Sequence, residues 1–195
     1  SKRAVTNPNF SAVFVDWFST IGLTFNDLSK PDTIAVSMTG SFPGANIALL
    51  SACKALNIYP VIISSIGSSS WGANETNKTW LDIENYLIES RYFTNRSIAF
   101  SLGGDNDRLD ELDDNIKNLL VEKIIDKNYS LIEGLSINNT ISKRIDIYNS
   151  KSSNYKVYVN IGGSSASLGD STTSKMYLPG LIYGKDKAIA DADAE

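Results

Sequence analysis

The 195-residue chain contains no histidine and only one cysteine. Without histidine it lacks the commonest metal ligand and the commonest general base, which excludes zinc sites and Ser-His-Asp triads formed by this chain alone. A single cysteine excludes an internal disulfide. Cys53 stands in an apolar segment with helical spacing, where we expect a buried structural thiol rather than a reactive one.

Long apolar runs and an excess of basic charge are also absent. The longest apolar stretches fall far short of the ~20 residues that a membrane helix needs, and the N-terminus lacks the hydrophobic stretch of a signal peptide. The 18 basic residues against 22 acidic ones give a net charge of -4 and form no basic stripe. We therefore expect no nucleic-acid partner and no insertion of this segment into a bilayer.

The composition is that of an ordinary globular protein, with 42% hydrophobic and 21% charged residues. We expect one α/β domain over residues 1–187, followed by a small, acidic tail at 188–195 that is disordered or detached. The chain begins at Ser1 without a methionine, and no stop signal precedes the tail. The domain is therefore expected to be incomplete at one or both ends.

Segments of helical and strand character alternate along the chain. Helices are predicted at 10–21, 45–56, 80–89, 112–127 and 136–150, with Thr79 capping the third, and strands at 33–36, 60–63, 97–102, 130–132 and 156–160. Strand-helix-strand units of this length have room only for right-handed parallel crossovers. The pattern predicts a mostly parallel, doubly wound, Rossmann-like sheet in three layers.

Four of these strands run directly into loops rich in glycine and serine, at 37–44, 64–74, 101–108 and 160–169. In open α/β sheets such loops meet at the carboxyl edge of the strands and build a ligand site there. The sequence therefore locates a site more clearly than it names the chemistry.

In the first loop, Thr39, Gly40 and Ser41 combine hydroxyls with backbone that a ligand can approach, just before a helix N-terminus. The aligned peptide dipoles there favour an anionic group. The spacing matches neither the Walker phosphate loop nor the GxGxxG dinucleotide motif, so no cofactor is indicated. The alternative is a tight strand-to-helix connection capped by hydroxyls.

The second and fourth loops offer further ligand contacts. Ser69, Trp71 and Asn74 place a large aromatic ring among small residues, where it could stack on a ligand or simply cover the core. The fourth loop supplies amides and hydroxyls through Gly162, Gly163 and Ser164.

The third loop carries charge after the glycine pair Gly103 and Gly104. Asp105 and Asp107 could hold Mg²⁺ or Ca²⁺, Asp107 could act as a base, and Arg108 could clamp a carboxylate. The alternative is a turn with a local ion pair. No other metal site is predicted.

Five motifs occur in order: KRxxTNP (2–8), GSFPxxNIA (40–48), SSWGAN (69–74), GGxxDR (103–108) and NIGGxxASLG (160–169). Together they resemble the poly-gamma-glutamate system protein family of bacterial capsule and export operons, over nearly the whole chain to about residue 180. The resemblance implies a role in making, moving or trimming a γ-linked glutamate polymer at the cell envelope. It further implies membrane association through a segment absent here and partners among membrane synthase or export proteins, but it supplies no catalytic residues.

Binding and catalysis both remain open. In a binding role the loops hold a γ-glutamyl end or another small acid, and the protein serves as an assembly component. In an enzyme, Ser41 or Ser69 would attack a γ-amide, with a lysine or Asp107 as base and loop amides as the oxyanion hole. Ser1 could instead be an N-terminal nucleophile after self-cleavage, and a sugar-phosphate-binding domain is a further alternative. Binding is favoured because a histidine-free chain offers no complete nucleophile-base-orienter set.

Overall fold

The computed structural model describes residues 4–25, 29–67, 75–169 and 179–182, except for the Asp105 side chain. Within them lies a five-stranded sheet formed by β1 (Asp32–Thr39), β2 (Ile58–Ser65), β3 (Ser97–Ser101), β4 (Ser130–Ile132) and β5 (Tyr158–Asn160). Every pairing is parallel, in the order β4-β3-β2-β1-β5. The predicted parallel α/β fold is confirmed.

Six helices connect or flank these strands: α1 (Phe10–Thr20), α2 (Pro43–Leu56), α3 (Trp80–Glu89), α4 (Asp114–Asp126), α5 (Ile137–Lys151) and α6 (Ser165–Leu168), with 3₁₀ turns at Ala4–Thr6 and Asp105–Asp107. α2 begins two residues before its predicted start because Pro43 suits the first helical turn, where no amide partner is needed. The predicted cap of α3 is confirmed, since the Asp82 carboxylate accepts hydrogen bonds from Thr79 N and Oγ1, both at 2.8 Å.

The helices form two layers because the chain reverses its direction across the sheet. The crossovers from β1 to β4 all advance one way, so right-handed connections place α2, α3 and α4 on one face, whereas the return from β4 to β5 places α5 on the other. The larger core packs β1 against α2 and includes Ile34, Val36 and Leu49. On the opposite face, Ile63 belongs to a smaller cluster packed against Tyr148 of α5. The result is a doubly wound, three-layer fold.

The strand ends on the α5 face carry small hydroxyl residues. Thr39 pairs in register with Ser65, and Ser65 pairs with Ser101, so the last residues of β1, β2 and β3 form one lateral row. Residues in register on parallel strands share a face of the sheet. This row lies along the carboxyl edge of the sheet, beside the loops that follow the strands.

The predicted tail at 188–195 lies outside the described residues, as do residues 1–3 and 170–178. Among the helices of the described ranges, none has both the length and the apolar character needed to cross a bilayer.

Candidate functional site

A cleft of about 380 Å³ opens at the carboxyl edge of the sheet. It is lined by residues at or just beyond the ends of four strands: Thr39, Ser41 and Phe42 for β1, Ser65 and Gly67 for β2, Gly104, Leu109 and Glu111 for β3, and Gly163 and Ser164 for β5. β1 and β5 are neighbours at the point where the strand order reverses. Open α/β sheets bind ligands at such a switch point, which makes this cleft the candidate site.

The structure brings residues of all four predicted loops together here, with Ser65 and Gly67 contributed by the second loop. Thr39, Gly104, Gly163 and Ser164 all line the cleft, as does the candidate nucleophile Ser41. Three further candidates of the second loop, Ser69, Trp71 and Asn74, lie outside the described residues.

Three predicted glycines lie behind the lining and let the loops pack closely. A Cβ at Gly40 would lie 2.8 Å from the Ile66 carbonyl oxygen, and one at Gly103 would lie 2.9 Å from Ser65 Cβ. A Cβ at Gly162 would meet the Thr39 side chain, and the Gly162 φ of +108° also suits glycine alone. These glycines therefore shape the walls of the cleft from behind.

The charged residues of the third loop separate in space. Arg108, whose side chain is 52% exposed, pairs with Asp110 at 3.5 Å and does not lie among the described residues that line the cleft. The acid of this local ion pair, Asp110, lies just outside the predicted loop at 101–108. Asp107 instead turns into the protein, and the Asp105 side chain lies outside the described part. In the described ranges, no three potential ligands among Asp, Glu and Cys are grouped as a metal site would require.

Asp107 forms a buried ion pair with Arg144 of α5. Arg144 Nη2 and Nε lie 2.9 and 3.1 Å from Asp107 Oδ2, and the two side chains are 4% and 0% exposed respectively. Ser101 adds a hydrogen bond from its hydroxyl to Asp107 Oδ1 at 2.7 Å. Because buried charges are costly unless paired and hydrogen-bonded, this arrangement holds the loop after β3 firmly against α5.

Arg144 was missed by sequence reasoning, although a signal was present. Thr140, Arg144 and Tyr148 recur every fourth residue along α5. That spacing places them on one side of a helix, and the first two are buried. A single arginine on the buried side of an otherwise polar helix indicates a buried acidic partner, but the spacing cannot identify Asp107 as that partner.

The Arg144 guanidinium also reaches the hydroxyl row. Its Nη2 lies 2.6 Å from Ser101 Oγ and 3.2 Å from Ser65 Oγ, and the two serine oxygens lie 3.1 Å apart. Ser65 lines the cleft. The buried ion pair is therefore connected to the cleft through hydrogen bonds.

Two hydroxyls at the cleft have no partner among the described residues. Thr39 is 6% exposed and Ser164 5% exposed, and neither Thr39 Oγ1 nor Ser164 Oγ makes a hydrogen bond within the described chain. An unsatisfied buried polar group costs on the order of 1–3 kcal/mol. A ligand group that reaches these oxygens would recover part of that cost.

The two sides of the cleft differ in electrostatic character. The 14-residue helix α2 begins at Pro43, directly after Ser41 and Phe42, so its positive dipole end lies beside the loop after β1. Glu111 lies across from it, after β3, and is the single charged residue among the described lining residues. The Glu111 carboxylate packs against Gly104, since a Cβ at that glycine would lie 2.7 Å from Glu111 Oε1.

A second buried carboxyl group lies at the start of β3, away from the cleft. Glu84 of α3 accepts hydrogen bonds from Ser97 N at 3.0 Å, Ser97 Oγ at 2.7 Å and Tyr129 Oη at 2.9 Å. Burial raises the pKa of Glu84, and these hydrogen bonds only partly oppose the shift. Because Ser97 is the first residue of β3 and the cleft is at the other end, this cluster is structural.

Comparison with protein-family models, with curated proteins and with solved structures finds no significant match for this chain.

Proposed function

We propose that the protein is a binding component that holds a small carboxylate-bearing ligand of the γ-glutamyl type in the cleft at the carboxyl edge of the sheet. The observation that carries this proposal is a pair of buried hydroxyls at the switch point of the sheet, those of Thr39 and Ser164, which have no partner among the described residues. The N-terminus of α2 beside them favours a negatively charged group.

The size of the cleft supports a chain end or a small molecule as the ligand. A volume of about 380 Å³ falls at the lower end of the range typical of small-molecule sites. The net charge of -4 also opposes a long polyanion lying across the whole surface. A γ-glutamyl polymer would therefore enter the cleft by one end.

The motifs that resemble the poly-gamma-glutamate system family supply the biological setting of this proposal. Two of these motifs contain lining residues on opposite sides of the switch point, Ser41 after β1 and Gly163 after β5. In this setting the protein is an envelope-associated component of a bacterial poly-gamma-glutamate synthesis or export system. Its partners would be the membrane proteins that make or move the polymer.

Binding is better supported than hydrolysis by the position of the candidate base. Asp107 is held by Arg144 and Ser101 and is absent from the described residues lining the cleft, whereas Ser41 lines it. A general base needs to lie within hydrogen-bond reach of the proton that it removes. The position of Asp107, engaged by Arg144 and Ser101 and away from the described lining, therefore gives no support to its role as a base.

Isothermal titration calorimetry with γ-linked triglutamate tests the proposal. We expect saturable binding by the unmodified protein and about tenfold weaker binding by Thr39→Val and by Ser164→Ala, because each removes one hydrogen bond to an ionised ligand. Thr94→Val and Ser142→Ala remove exposed hydroxyls elsewhere and serve as matched controls. Absence of binding by the folded, unmodified protein at millimolar ligand would overturn the proposal, and chromatography of the ligand after incubation would reveal any hydrolysis.

A further inference from the structure

The hydrogen-bond chain behind the cleft fixes the direction of every hydroxyl in it. The Asp107 carboxylate, paired with Arg144, can only accept hydrogen bonds, so Ser101 donates its single proton to Asp107 Oδ1. In the contact between Ser65 and Ser101 at 3.1 Å, the donor is therefore Ser65.

Ser65 consequently faces the cleft as an acceptor. Its proton points to Ser101, and one of its two lone pairs faces Arg144 Nη2 at 3.2 Å. A hydroxyl oxygen has a second lone pair. Since Ser65 lines the cleft, that lone pair is what it offers to a ligand.

Glu111 adds a second acceptor on the same side. Its carboxylate lies on Gly104 and makes no ion pair with any residue in the described ranges. The side chains of Ser65 and Glu111 thus offer lone pairs and negative charge, but no proton, to a ligand. This combination suits a cationic donor.

The side formed by the loops after β1 and β5 has the opposite character. Thr39 and Ser164 each keep an uncommitted hydroxyl proton within the described chain, and the positive end of the α2 dipole lies beside Thr39. These groups suit a carboxylate. The cleft is therefore bipolar: one side suits a positively charged group and the other a negatively charged group.

We propose that this cleft recognises a free α-amino-acid head group, with the ammonium held by Glu111 and Ser65 and the carboxylate held on the side of Thr39, Ser164 and α2. The inference rests on the proposed function and names the ligand end that is bound. In a γ-linked glutamate chain each amide is formed by a side-chain carboxyl, so the α-carboxylates stay free. Only the amino-terminal residue also keeps its ammonium, and it therefore carries both charges on one carbon. In an α-linked chain, that α-carboxyl is consumed by the peptide bond.

Calorimetry with three ligands tests this assignment: γ-linked triglutamate, its N-acetylated form and α-linked triglutamate. We expect N-acetylation and α-linkage each to weaken binding at least tenfold, since each removes one charged partner from the cleft. Glu111→Gln should weaken binding of the free γ-linked chain about tenfold and leave binding of the acetylated chain unchanged. Glu122→Gln on the exposed side of α4 is the matched control and should behave as the unmodified protein.

The outcomes separate this inference from the proposed function. Equal binding of the free and N-acetylated γ-linked chains would overturn the amino-end assignment while the carboxylate site stands. Unchanged binding of the free chain by Glu111→Gln would also overturn it. Failure of all three ligands to bind the folded protein would contradict the proposed function itself.

Discussion

Arg144 on α5 and Asp107 in the turn after β3 form a buried ion pair that is joined by three hydrogen bonds and spans 37 residues of sequence. The pair ties the single helix that returns across the sheet to the loop at its carboxyl edge. Because it also contacts Ser101 and Ser65, it orders the hydroxyls beneath the candidate cleft. The stability of the fold and the shape of the site therefore depend on the same contact.

Removing one partner of this pair should be strongly destabilising. Arg144→Met leaves the Asp107 carboxylate buried without its cation, and we expect a loss of about 3–5 kcal/mol in the free energy of unfolding. Arg108→Gln, which removes only the exposed contact with Asp110, should cost less than about 1 kcal/mol. Urea denaturation measures both values, and similar small losses for the two variants would contradict the role assigned to Arg144.

Glu84 should make stability depend on pH. Its pKa is raised in the folded state, so folding favours its protonated form, and the stability that it contributes is present below its ordinary pKa of 4.5. That contribution is lost as the pH rises from 4.5 through the folded-state pKa. Glu84→Gln keeps an acceptor for Ser97 but cannot ionise. As the pH rises through this range, the free energy of unfolding of the unmodified protein should therefore fall relative to that of the variant.

The comparison is made by urea denaturation of both proteins at a series of pH values from acid to neutral. Other groups, such as Asp82 with its lowered pKa, titrate in both proteins and cancel in the difference. Parallel stability curves would show that Glu84 has the same affinity for protons in the folded and unfolded states, contrary to this account.

Cys53 should be chemically inert in the folded protein. It is 1% exposed within α2, and burial raises the pKa of its thiol to about 12. The thiolate is the reactive form, so an aromatic disulfide reagent at mildly alkaline pH should label it only after denaturation in guanidinium chloride. Rapid labelling under native conditions would contradict the burial of this residue, which the sequence analysis predicted and the structure confirms.

The two neighbouring glycines after β5 should respond differently to alanine. Gly162→Ala places a Cβ against the Thr39 side chain at a φ of +108°, and we expect a cost of about 1–3 kcal/mol in stability. Gly163→Ala meets nothing within 4 Å and serves as the matched control, with a change within about 0.5 kcal/mol. Thermal unfolding of both variants checks the difference, and equal melting temperatures would argue against the close packing of Gly162 on Thr39.

The architecture was predictable because its signals are local. Apolar periodicity and the glycine-rich strand ends together predicted an alternating, parallel α/β fold, which the structure confirms. β1 extends to Thr39, beyond its predicted end at residue 36, because Ser37 and Thr39 continue the pleat with small side chains buried on the α5 face. The short helix α6 lies in a segment interpreted only as a loop.

The internal chemistry of the site was less predictable because it depends on contacts between distant segments. Asp107 and Arg108 are adjacent in sequence, but one is buried against Arg144 and the other lies exposed beside Asp110. Glu111 follows shortly after the predicted loop and was not singled out, although it lines the cleft. No local pattern distinguishes these fates, because each is set by the element that packs over the side chain.

A titration of isotope-labelled protein with γ-linked triglutamate, followed by backbone amide chemical shifts, shows directly whether the ligand binds in the cleft. We expect saturable shifts concentrated at Thr39, Gly104, Gly163 and Ser164, with little change along the exposed side of α4. Shifts confined to other surfaces, or none at millimolar ligand, would contradict the assignment of the cleft at the carboxyl edge of the sheet as the binding site.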